Sequence, residues 1–317
     1  MPNRAPPTIT LVPGVRVGCA AEEELGSGVT AFLFDYPSPT VVDVRGPASA
    51  TYDTHSLGLE ATFGRRDALF FAGGSVYGLD AARGVRAHLL GSGRGEGAFG
   101  SHFPLPRISG AALYDLPRRP GPIPEYLALG LAAAESAGRS PVPVGLFGAG
   151  RGARVGKYAP RRRPVPGGQS SAAVRLARGH ALGVFVVFNS VGAIREPTTG
   201  RWLAGALDAK GRLEPPGAAI GSRGAPGTTL AAVVTDLPLE RRILYAIAEH
   251  VHDGIARTVV PAHTATEGDL VFAVSTAPST ERTTSESRPG RFADDLGRRA
   301  ERLVEVAAAR LFAPRAN

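Results

Sequence analysis

A hydroxyl residue stands where a loop rich in glycine and proline meets an apolar segment. Thr228 follows residues 213–227 and precedes the apolar run 229–235. A cut before Thr228 would leave a new amino terminus that a sheet holds in place. A terminal threonine carries an α-amine with a pKa of about 7.7 to 8.0, which can take the proton of its own hydroxyl. Threonine is also common at the start of ordinary strands, so its position alone leaves both interpretations open.

One motif matches a dinucleotide-binding loop. Residues 148–153 (GAGRGA) follow an apolar run directly. Such a loop must open a helix, and an acidic residue must follow to hold the ribose. Instead a glycine and three prolines follow at positions 156, 160, 164 and 166, and no acidic residue lies between Glu135 and Glu196. We expect no cofactor here, and these glycines let backbone approach backbone or a substrate.

Several residues that can bind metals cluster in one region of the sequence: His250, His252, Asp253 and His263. Zinc-binding helices space their histidines four residues apart so that both face one way. His250 and His252 are two apart and diverge by about 200° on a helix. The single cysteine, Cys19, allows neither an internal disulfide nor a cysteine-based metal site. The sequence therefore predicts no metal.

The charge of the chain is +8, with 36 Lys and Arg against 28 Asp and Glu. The basic residues are scattered, and the densest run, 161–163, has one nearby aromatic residue, Tyr158, which makes a poor stacking platform for bases. We expect no nucleic-acid partner. Residues 1–14 lack the apolar run of a secretory signal, and no stretch is apolar enough to span a bilayer. The sequence predicts no membrane association and, by elimination, a cytoplasmic location.

Short apolar runs alternate with helical patterns, without a fixed repeat, and this predicts one mixed α/β unit. The predicted strands are residues 9–12, 31–34, 40–44, 68–71, 142–147, 182–188, 229–235 and 270–275. The predicted helices are residues 77–90, 124–137, 239–259 and 291–311, of which the last two carry a regular apolar stripe.

Seven segments occur in a characteristic order: residues 9–18 (ITLVPGVRVG), 42–46 (VDVRG), 73–82 (GGSVYGLDAA), 148–157 (GAGRGARVGK), 189–192 (NSVG), 252–257 (HDGIAR) and 268–269 (GD). In this order the chain resembles the self-processing aminopeptidases, a family that includes L-aminopeptidase/D-esterases, β-peptidyl aminopeptidases and nylon-oligomer hydrolases. The resemblance implies an α+β fold, a four-layer αββα sandwich with helices outside two sheets. It also implies a single domain, residues 1–317, that is cut into a large piece, 1–227, and a small piece, 228–317.

The resemblance assigns the nucleophile and its partner. The nucleophile corresponds to Thr228, and the cut lies between Gly227 and Thr228. Asn189 corresponds to the asparagine of the oxyanion hole. An amide N–H placed about 3 Å from the developing negative charge is worth roughly 3 to 4 kcal/mol of the barrier. The terminal amine serves as base, so no separate histidine is needed.

Four further residues correspond to positions near the active site of the family. Tyr114 resembles a tyrosine that donates to the oxyanion or the leaving group. Lys157 resembles a lysine of the threonine branch. Asp269 corresponds to an acidic residue that orients the nucleophile, and Glu267 replaces the serine found two positions earlier in serine-type members. The resemblance thus implies a carboxylate pair, which can hold the terminal ammonium and tune its pKa.

The implied activity is a self-activating aminopeptidase or amidohydrolase of the N-terminal-nucleophile type. It releases small N-terminal residues from amides, short peptides or esters through an acyl-enzyme on Thr228. The resemblance also implies a homo-oligomer, such as a tetramer. Two alternatives remain open at the level of sequence. One is an acyltransferase of ornithine-acetyltransferase-like architecture, which passes the acyl group to an amine, and the other is an uncleaved binding protein without catalysis.

Overall fold

The computed structural model describes residues 6–97, 102–117, 120–159, 162–217, 226–278 and 289–312. Nine strands form one large sheet: β1 Val15–Glu22, β2 Ser27–Val44, β3 Ala50–Tyr52, β4 Arg65–Ala72, β5 Ile108–Ala112, β6 Gly168–Arg175, β7 Ala181–Asn189, β8 Thr228–Thr235 and β9 Leu270–Ser275. The helices are α1 Ala81–Gly91, α2 Tyr126–Glu135, α3 Arg241–Thr258 and α4 Pro289–Phe312. Short pairings join Ala193–Arg195 to Trp202–Ala204 and Val259–Val260, Ala206–Leu207 to Leu213–Glu214, and Arg154–Val155 to Val165–Pro166.

The sheet has two halves that share the long strand β2. The strand order is β3-β5-β4-β2-β9-β8-β7-β6, and β1 also pairs with β2. Residues 29–33 of β2 pair with β1 and β4, whereas residues 40–44 pair with β9. The register shifts between Leu33 and Ser38, so one irregularity marks the passage from one half to the other.

The two halves face each other across an apolar core. The rings of Phe32 and Phe185 lie 5.0 Å apart between centroids, and those of Phe71 and Phe272 lie 6.0 Å apart. Helices α1 and α2 cover the outer face of the first half, and α3 and α4 cover the outer face of the second. The layers are therefore helix, sheet, sheet, helix, and each sheet half is buried on both faces.

Most of the predicted elements are confirmed. Residues 68–71, 182–188, 229–235 and 270–275 lie in β4, β7, β8 and β9. The four predicted helices form with shifted ends, and the first begins as a 3-10 helix, Ser75–Asp80, before α1. The two runs 31–34 and 40–44 belong to one strand, β2, because the prolines between them cause a register shift instead of a turn. No helix in the described residues is both long and apolar enough to cross a membrane.

Two predicted strands are wrong. Residues 9–12 contain a 3-10 helix, Ile9–Leu11, whose first N–H donates to the Ser171 hydroxyl at 2.8 Å. Residues 142–147 make only an isolated bridge, from Gly145 to Gln169, because Pro143 lacks the N–H that a ladder needs. The sequence also missed β1, β3, β5 and β6. Strand β6 reads GQSSAAVR, and its small polar residues carry little of the apolar pattern typical of a strand.

The glycine motif at 148–153 opens no long helix. Gly148–Gly150 form a single 3-10 turn. A Cβ added at Gly150 would stand 2.3 Å from the backbone nitrogen of Gln169. The expected close approach of backbone to backbone is confirmed, and it occurs beside β6.

Candidate active site

Thr228 begins a central strand of the sheet. Strand β8 runs antiparallel to β7 on one side and parallel to β9 on the other. In this register Thr228 stands opposite Asn189, the last residue of β7. Thr228 is only 4% exposed. The topology therefore brings the predicted nucleophile and the predicted oxyanion asparagine to the same edge of the sheet.

The carbonyl group before Thr228 is held by two donors. The Thr228 hydroxyl donates to the oxygen of Gly227 at 2.6 Å, and the N–H of Gly268 donates to the same oxygen at 3.1 Å. Glycine is required at 227 because an added Cβ would lie 2.6 Å from the backbone nitrogen of Val191. The carbonyl of the Gly227–Thr228 peptide bond is thus contacted by the Thr228 hydroxyl and polarised by the Gly268 N–H.

Lys157 contacts the residue before Gly227 and the residue opposite Thr228. Its buried ammonium donates to the backbone oxygen of Asn189 at 2.8 Å, to the side-chain oxygen of Asn189 at 2.8 Å and to the carbonyl of Pro226 at 3.0 Å. Burial lowers the pKa of Lys157 to about 7, against the opposing attraction of Glu267 and Asp115. Lys157 can therefore exchange a proton near neutral pH.

The orientation of the Asn189 amide follows from its neighbours. Its Oδ1 accepts from the Arg154 backbone N–H at 3.0 Å, which can only donate, and from the Lys157 ammonium. Its Nδ2 donates to the carbonyl oxygen of Tyr114 at 3.0 Å, which can only accept. The amide N–H side is therefore turned toward the Tyr114 segment, and one of its two hydrogens remains for another acceptor.

The two predicted carboxylates accept hydrogen bonds from backbone N–H groups near the bond. Glu267 accepts from the N–H of Val191 at 2.8 Å and from the N–H of Thr264 at 3.0 Å. Burial, and then the nearby charge of Asp269, raises the pKa of Glu267 to about 6. Asp269 is fully buried and accepts the N–H of Thr229 at 2.5 Å. Both acids therefore contact the backbone around the nucleophile.

A cavity of about 300 Å³ opens beside the predicted residues. It is lined by Tyr114, Asp115, Leu116, Gly152, Arg154, Lys157, Pro164, Asn189 and Pro226. The side chain of Tyr114 is 41% exposed, and its contact with Asn189 is made by its backbone oxygen. Thr228 does not line this cavity, whereas Pro226, two residues earlier, does. In the uncut chain the cavity is thus lined by Pro226 of the segment before Thr228 and not by Thr228 itself.

Sequence reasoning missed two charged residues of this cavity. Asp115 accepts from the N–H of Gly74 at 2.7 Å and from the Ser27 hydroxyl at 2.8 Å, and burial raises its pKa. Arg154 is placed by the backbone contact with Asn189. The signal for Asp115 was its position next to Tyr114, and the signal for Arg154 was its place among the glycines before Lys157.

His250 and His252 of α3 face different neighbours, as their spacing of two residues predicted. His250 faces Asp294 of α4, with 3.8 Å between the nearest atoms. The Nε2 of His252 instead contacts the backbone oxygen of Asp43 at 3.1 Å, and His263 contacts Asp269. Within the described residues, no three His, Cys, Asp or Glu side chains are grouped as a metal site requires.

The comparison with known families agrees with this geometry. The model of peptidase family S58 matches residues 7–313. The chain belongs to peptidase family S58. The resemblance drawn from the seven segments is therefore confirmed, and membership of family S58 supports a hydrolase.

Proteins with similar sequences are described in two ways. An uncharacterized aminopeptidase of Mycobacterium leprae is 34% identical over 95% of this chain and 86% of its own length. A 6-aminohexanoate-oligomer endohydrolase of Paenarthrobacter ureafaciens is 33% identical over 88% of this chain and 78% of its own length. Family S58 thus includes relatives of this chain described as aminopeptidases and relatives described as oligomer hydrolases.

Solved structures show the same fold. The L-aminopeptidase D-Ala-esterase/amidase of Ochrobactrum anthropi, described as a prototype for the serine aminopeptidases and a variant of the Ntn hydrolase fold, gives a TM-score of 0.68 at 21% identity, covering 95% of this chain and 84% of that one. A β-aminopeptidase of Burkholderia sp. gives 0.62 at 19% identity, covering 96% and 84%. At these identities the likeness concerns the fold alone.

Proposed function

We propose that the chain cuts itself between Gly227 and Thr228 and that Thr228 then serves as the N-terminal nucleophile of an amidohydrolase. The observation that carries this proposal is the pair of hydrogen bonds at the Gly227 carbonyl oxygen. The Thr228 hydroxyl contacts it, and the Gly268 N–H donates to its oxygen. A hydrogen-bond donor at that oxygen stabilises the negative charge that develops when the hydroxyl attacks the carbonyl carbon.

The proposed cut proceeds by transfer of the acyl group from nitrogen to oxygen. The Thr228 oxygen bonds to the Gly227 carbon and gives up its proton, and the bond from that carbon to the Thr228 nitrogen breaks as the nitrogen gains a proton. Water then hydrolyses the ester, leaving a carboxylate on Gly227 and a free amine and hydroxyl on Thr228. Lys157 and Glu267 have pKa values near 7 and near 6, so both can exchange protons near neutral pH.

The cut gives Thr228 what catalysis requires. The new α-amine can act as base for the neighbouring hydroxyl. Departure of the segment containing Pro226 would join the hydroxyl to the 300 Å³ cavity. The two pieces, residues 1–227 and 228–317, stay associated because β8 pairs on both sides and α3 and α4 pack on the sheet.

The proposed substrates are amides, short peptides or esters with a small acyl part. The size of the cavity supports this, and so do the descriptions of the relatives as aminopeptidases and as 6-aminohexanoate-oligomer endohydrolases. Asn189 is proposed to donate to the oxyanion of the acyl-enzyme, Tyr114 to the oxyanion or leaving group, and Asp269 to orient the nucleophile. We further propose that the enzyme works in the cytoplasm as a homo-oligomer, without a nucleic-acid or membrane partner.

Intact mass spectrometry of the purified protein tests processing and cleavage site together. Two masses, corresponding to residues 1–227 and 228–317, are expected. Turnover is then measured on a panel of L-alanine p-nitroanilide, β-alanine p-nitroanilide and linear 6-aminohexanoate dimer. A single mass for residues 1–317 after long incubation, with no turnover of the panel, would support an uncleaved binding protein. Transfer of the acyl group to added amines in preference to water would support an acyltransferase.

Tyr114→Phe is expected to leave processing unchanged and to lower turnover by about 100-fold or more, as removal of one proton donor does. Its effect should be confined to the mature enzyme because the Tyr114 backbone oxygen, which holds Asn189, stays in place. Intact mass and steady-state rates of the same sample separate the two steps. Equal turnover of the variant and the wild type would remove the Tyr114 hydroxyl from the mechanism.

The proposed reaction uses only groups of the protein and water: side chains, the Gly268 N–H and the α-amine. Dialysis against a strong chelator is therefore expected to leave both processing and turnover unchanged. The measurement is the rate before dialysis, after dialysis and after addition of zinc or manganese. A loss that one of these metals restores would assign the chemistry to a metal instead.

A further inference from the structure

Two histidines packed edge to face lie next to the carboxylate that contacts the nucleophile strand. Asp269 uses one oxygen, Oδ1, to accept the N–H of Thr229 at 2.5 Å. Its other oxygen, Oδ2, accepts the backbone N–H of His263 at 3.1 Å and contacts the Nδ1 of the same residue at 2.8 Å. One carboxylate thus connects His263 to the residue that follows Thr228.

The backbone of His263 is in a conformation that histidine seldom adopts. Its φ is +55°, in the left-handed region. For a residue with a Cβ this region costs roughly 1 to 2 kcal/mol, and such residues persist where the surroundings fix them. Here the backbone N–H and the ring both bind Asp269, which is fully buried. The strained backbone is what allows both donors to reach one carboxylate.

The ring of His263 packs edge to face on the ring of His252, with 4.9 Å between centroids. The Nε2 of His252 contacts the backbone oxygen of Asp43 at 3.1 Å, so this nitrogen carries the proton. The remaining ring nitrogens, His252 Nδ1 and His263 Nε2, are buried and have no hydrogen-bond partner among the described residues. Buried ring nitrogens without a partner are uncommon in folded proteins.

The charges around the pair are few and defined. On the side of His252 lies the carboxylate of Asp43, 3.8 Å from Nε2, which is itself bonded by Arg45 at 3.0 Å and approached by the Tyr245 hydroxyl at 3.4 Å. Arg45 also faces Glu249 of α3 at 3.7 Å. Burial lowers the pKa of His252 to about 4, so its ring is neutral near pH 7.

On the side of His263 lie Asp269 and, beyond it, Glu267. Since Asp269 can only accept hydrogen bonds when ionised, the Nδ1 of a neutral His263 carries its proton. His263 therefore donates two hydrogen bonds to Asp269, one from its backbone N–H and one from its ring. These hydrogen bonds reduce the negative charge that Asp269 presents to the nucleophile strand.

We propose that His263, supported by His252, is a positioning residue that fixes Asp269 against the nucleophile strand and moderates its charge at the terminal amine of Thr228. This inference rests on the proposed function, because it requires a free amine at Thr228. If the ring is removed, Asp269 loses a donor, and its negative charge acts more strongly on the Thr228 ammonium. The pKa of that ammonium then rises, and the free amine that catalysis needs appears at higher pH.

The test compares His263→Gly with His263→Asn. Glycine adopts the left-handed backbone freely, so it removes the ring without adding strain, and asparagine tolerates that backbone and restores a side-chain donor. For His263→Gly we expect kcat on the best amide of the panel to fall about tenfold with KM little changed, and the acid side of the pH profile to move up by about half a unit or more. His263→Asn should recover most of kcat and return the profile toward that of the wild type.

The control is His250→Gln, which changes a histidine of the same region that faces Asp294 and not Asp269. Its rate and pH profile should match the wild type. A folded His263→Gly enzyme with unchanged kcat and an unshifted profile would overturn the inference. A loss of kcat that His263→Asn does not reduce would also overturn it, because the restored side-chain donor would then have no effect on the rate. A purely structural role instead predicts a loss of stability without a shift of the pH profile.

A second measurement needs no change at position 263. The ring nitrogen signals of His263 are compared by NMR at one pH in the mature wild type and in uncut Thr228→Ala. The cut creates an ammonium at Thr228, next to the residue whose N–H binds Asp269, so the ring nitrogen signals should differ between the two proteins, and identical signals would overturn the inference. Intact mass of the wild type decides the proposed function separately, since an uncut wild type refutes that function and a cut wild type leaves only the role of His263 in question.

Discussion

Thr228→Ala is expected to give one uncut chain that is folded and inactive. The substitution removes the only hydroxyl that the structure places on the Gly227 carbonyl among the described residues. Without it the acyl group cannot move from nitrogen to oxygen, and no terminal nucleophile forms. Intact mass gives the state of the chain, and the panel of amides gives the rate. Thr228→Ser keeps both hydroxyl and amine, so it should still process and retain part of the activity.

The matched control is the neighbouring threonine. The hydroxyl of Thr229 is buried and has no hydrogen-bond partner within the described residues. Thr229→Val has nearly the same shape and removes that unpaired group, so it should process and turn over like the wild type. A small piece that begins at Thr229, or a Thr228→Ala protein that still cuts itself and hydrolyses amides, would refute the assignment of the nucleophile.

Asn189→Ala is expected to lower turnover by about a hundredfold or more, the usual cost of one oxyanion donor. The structure adds an effect on stability. Removal of Oδ1 leaves the Arg154 N–H and one donor of Lys157 without their acceptor, at about 1 to 3 kcal/mol each. Thermal unfolding and turnover of the same sample are therefore measured together. The same donor can serve the cut, so processing is also expected to slow.

Ser190→Ala is the control for this loss of stability. Ser190 is the next residue, fully buried, and its hydroxyl donates to the carbonyl of Gly192 at 3.0 Å. Its truncation also removes a buried hydrogen bond, but outside the proposed oxyanion site. Normal processing and turnover in Ser190→Ala beside a large loss in Asn189→Ala would locate the effect in the amide. Normal turnover in Asn189→Ala would show that another group stabilises the oxyanion.

The sequence predicted the strands whose apolar residues are buried on both faces. Residues 182–188 are rich in Val and Phe, and residues 229–235 are rich in Ala and Val. They form β7 and β8 in the middle of the sheet. Strands with small or polar residues, such as β6, were missed because their burial comes from neighbouring layers and not from their own composition. The residue pattern of one strand does not show burial that comes from packing against other parts of the chain.

Part of the candidate site could likewise be predicted from the sequence, and part of it could not. Thr228, Asn189, Lys157, Glu267 and Asp269 were named from segments far apart in sequence, and the structure brings them together around one peptide bond. The backbone contributors were not predictable. The N–H of Gly268 acts through its position alone, and no residue type signals it. His263 was considered only as a metal ligand, because its contact with Asp269 depends on a left-handed backbone that the sequence does not reveal.

The N–H of Gly268 and the carboxylate of Asp269 come later in the chain than the bond they surround. During synthesis, residues 1–228 therefore emerge before the groups that prepare the bond for cleavage exist. Strand β9 must be made, must cross over through α3 and must pair with β8 before the Gly227 carbonyl receives its donor. Under the proposed reaction, a chain truncated before β9 stays inactive, and the appearance of the free threonine records that β9 has been made and has paired with β8.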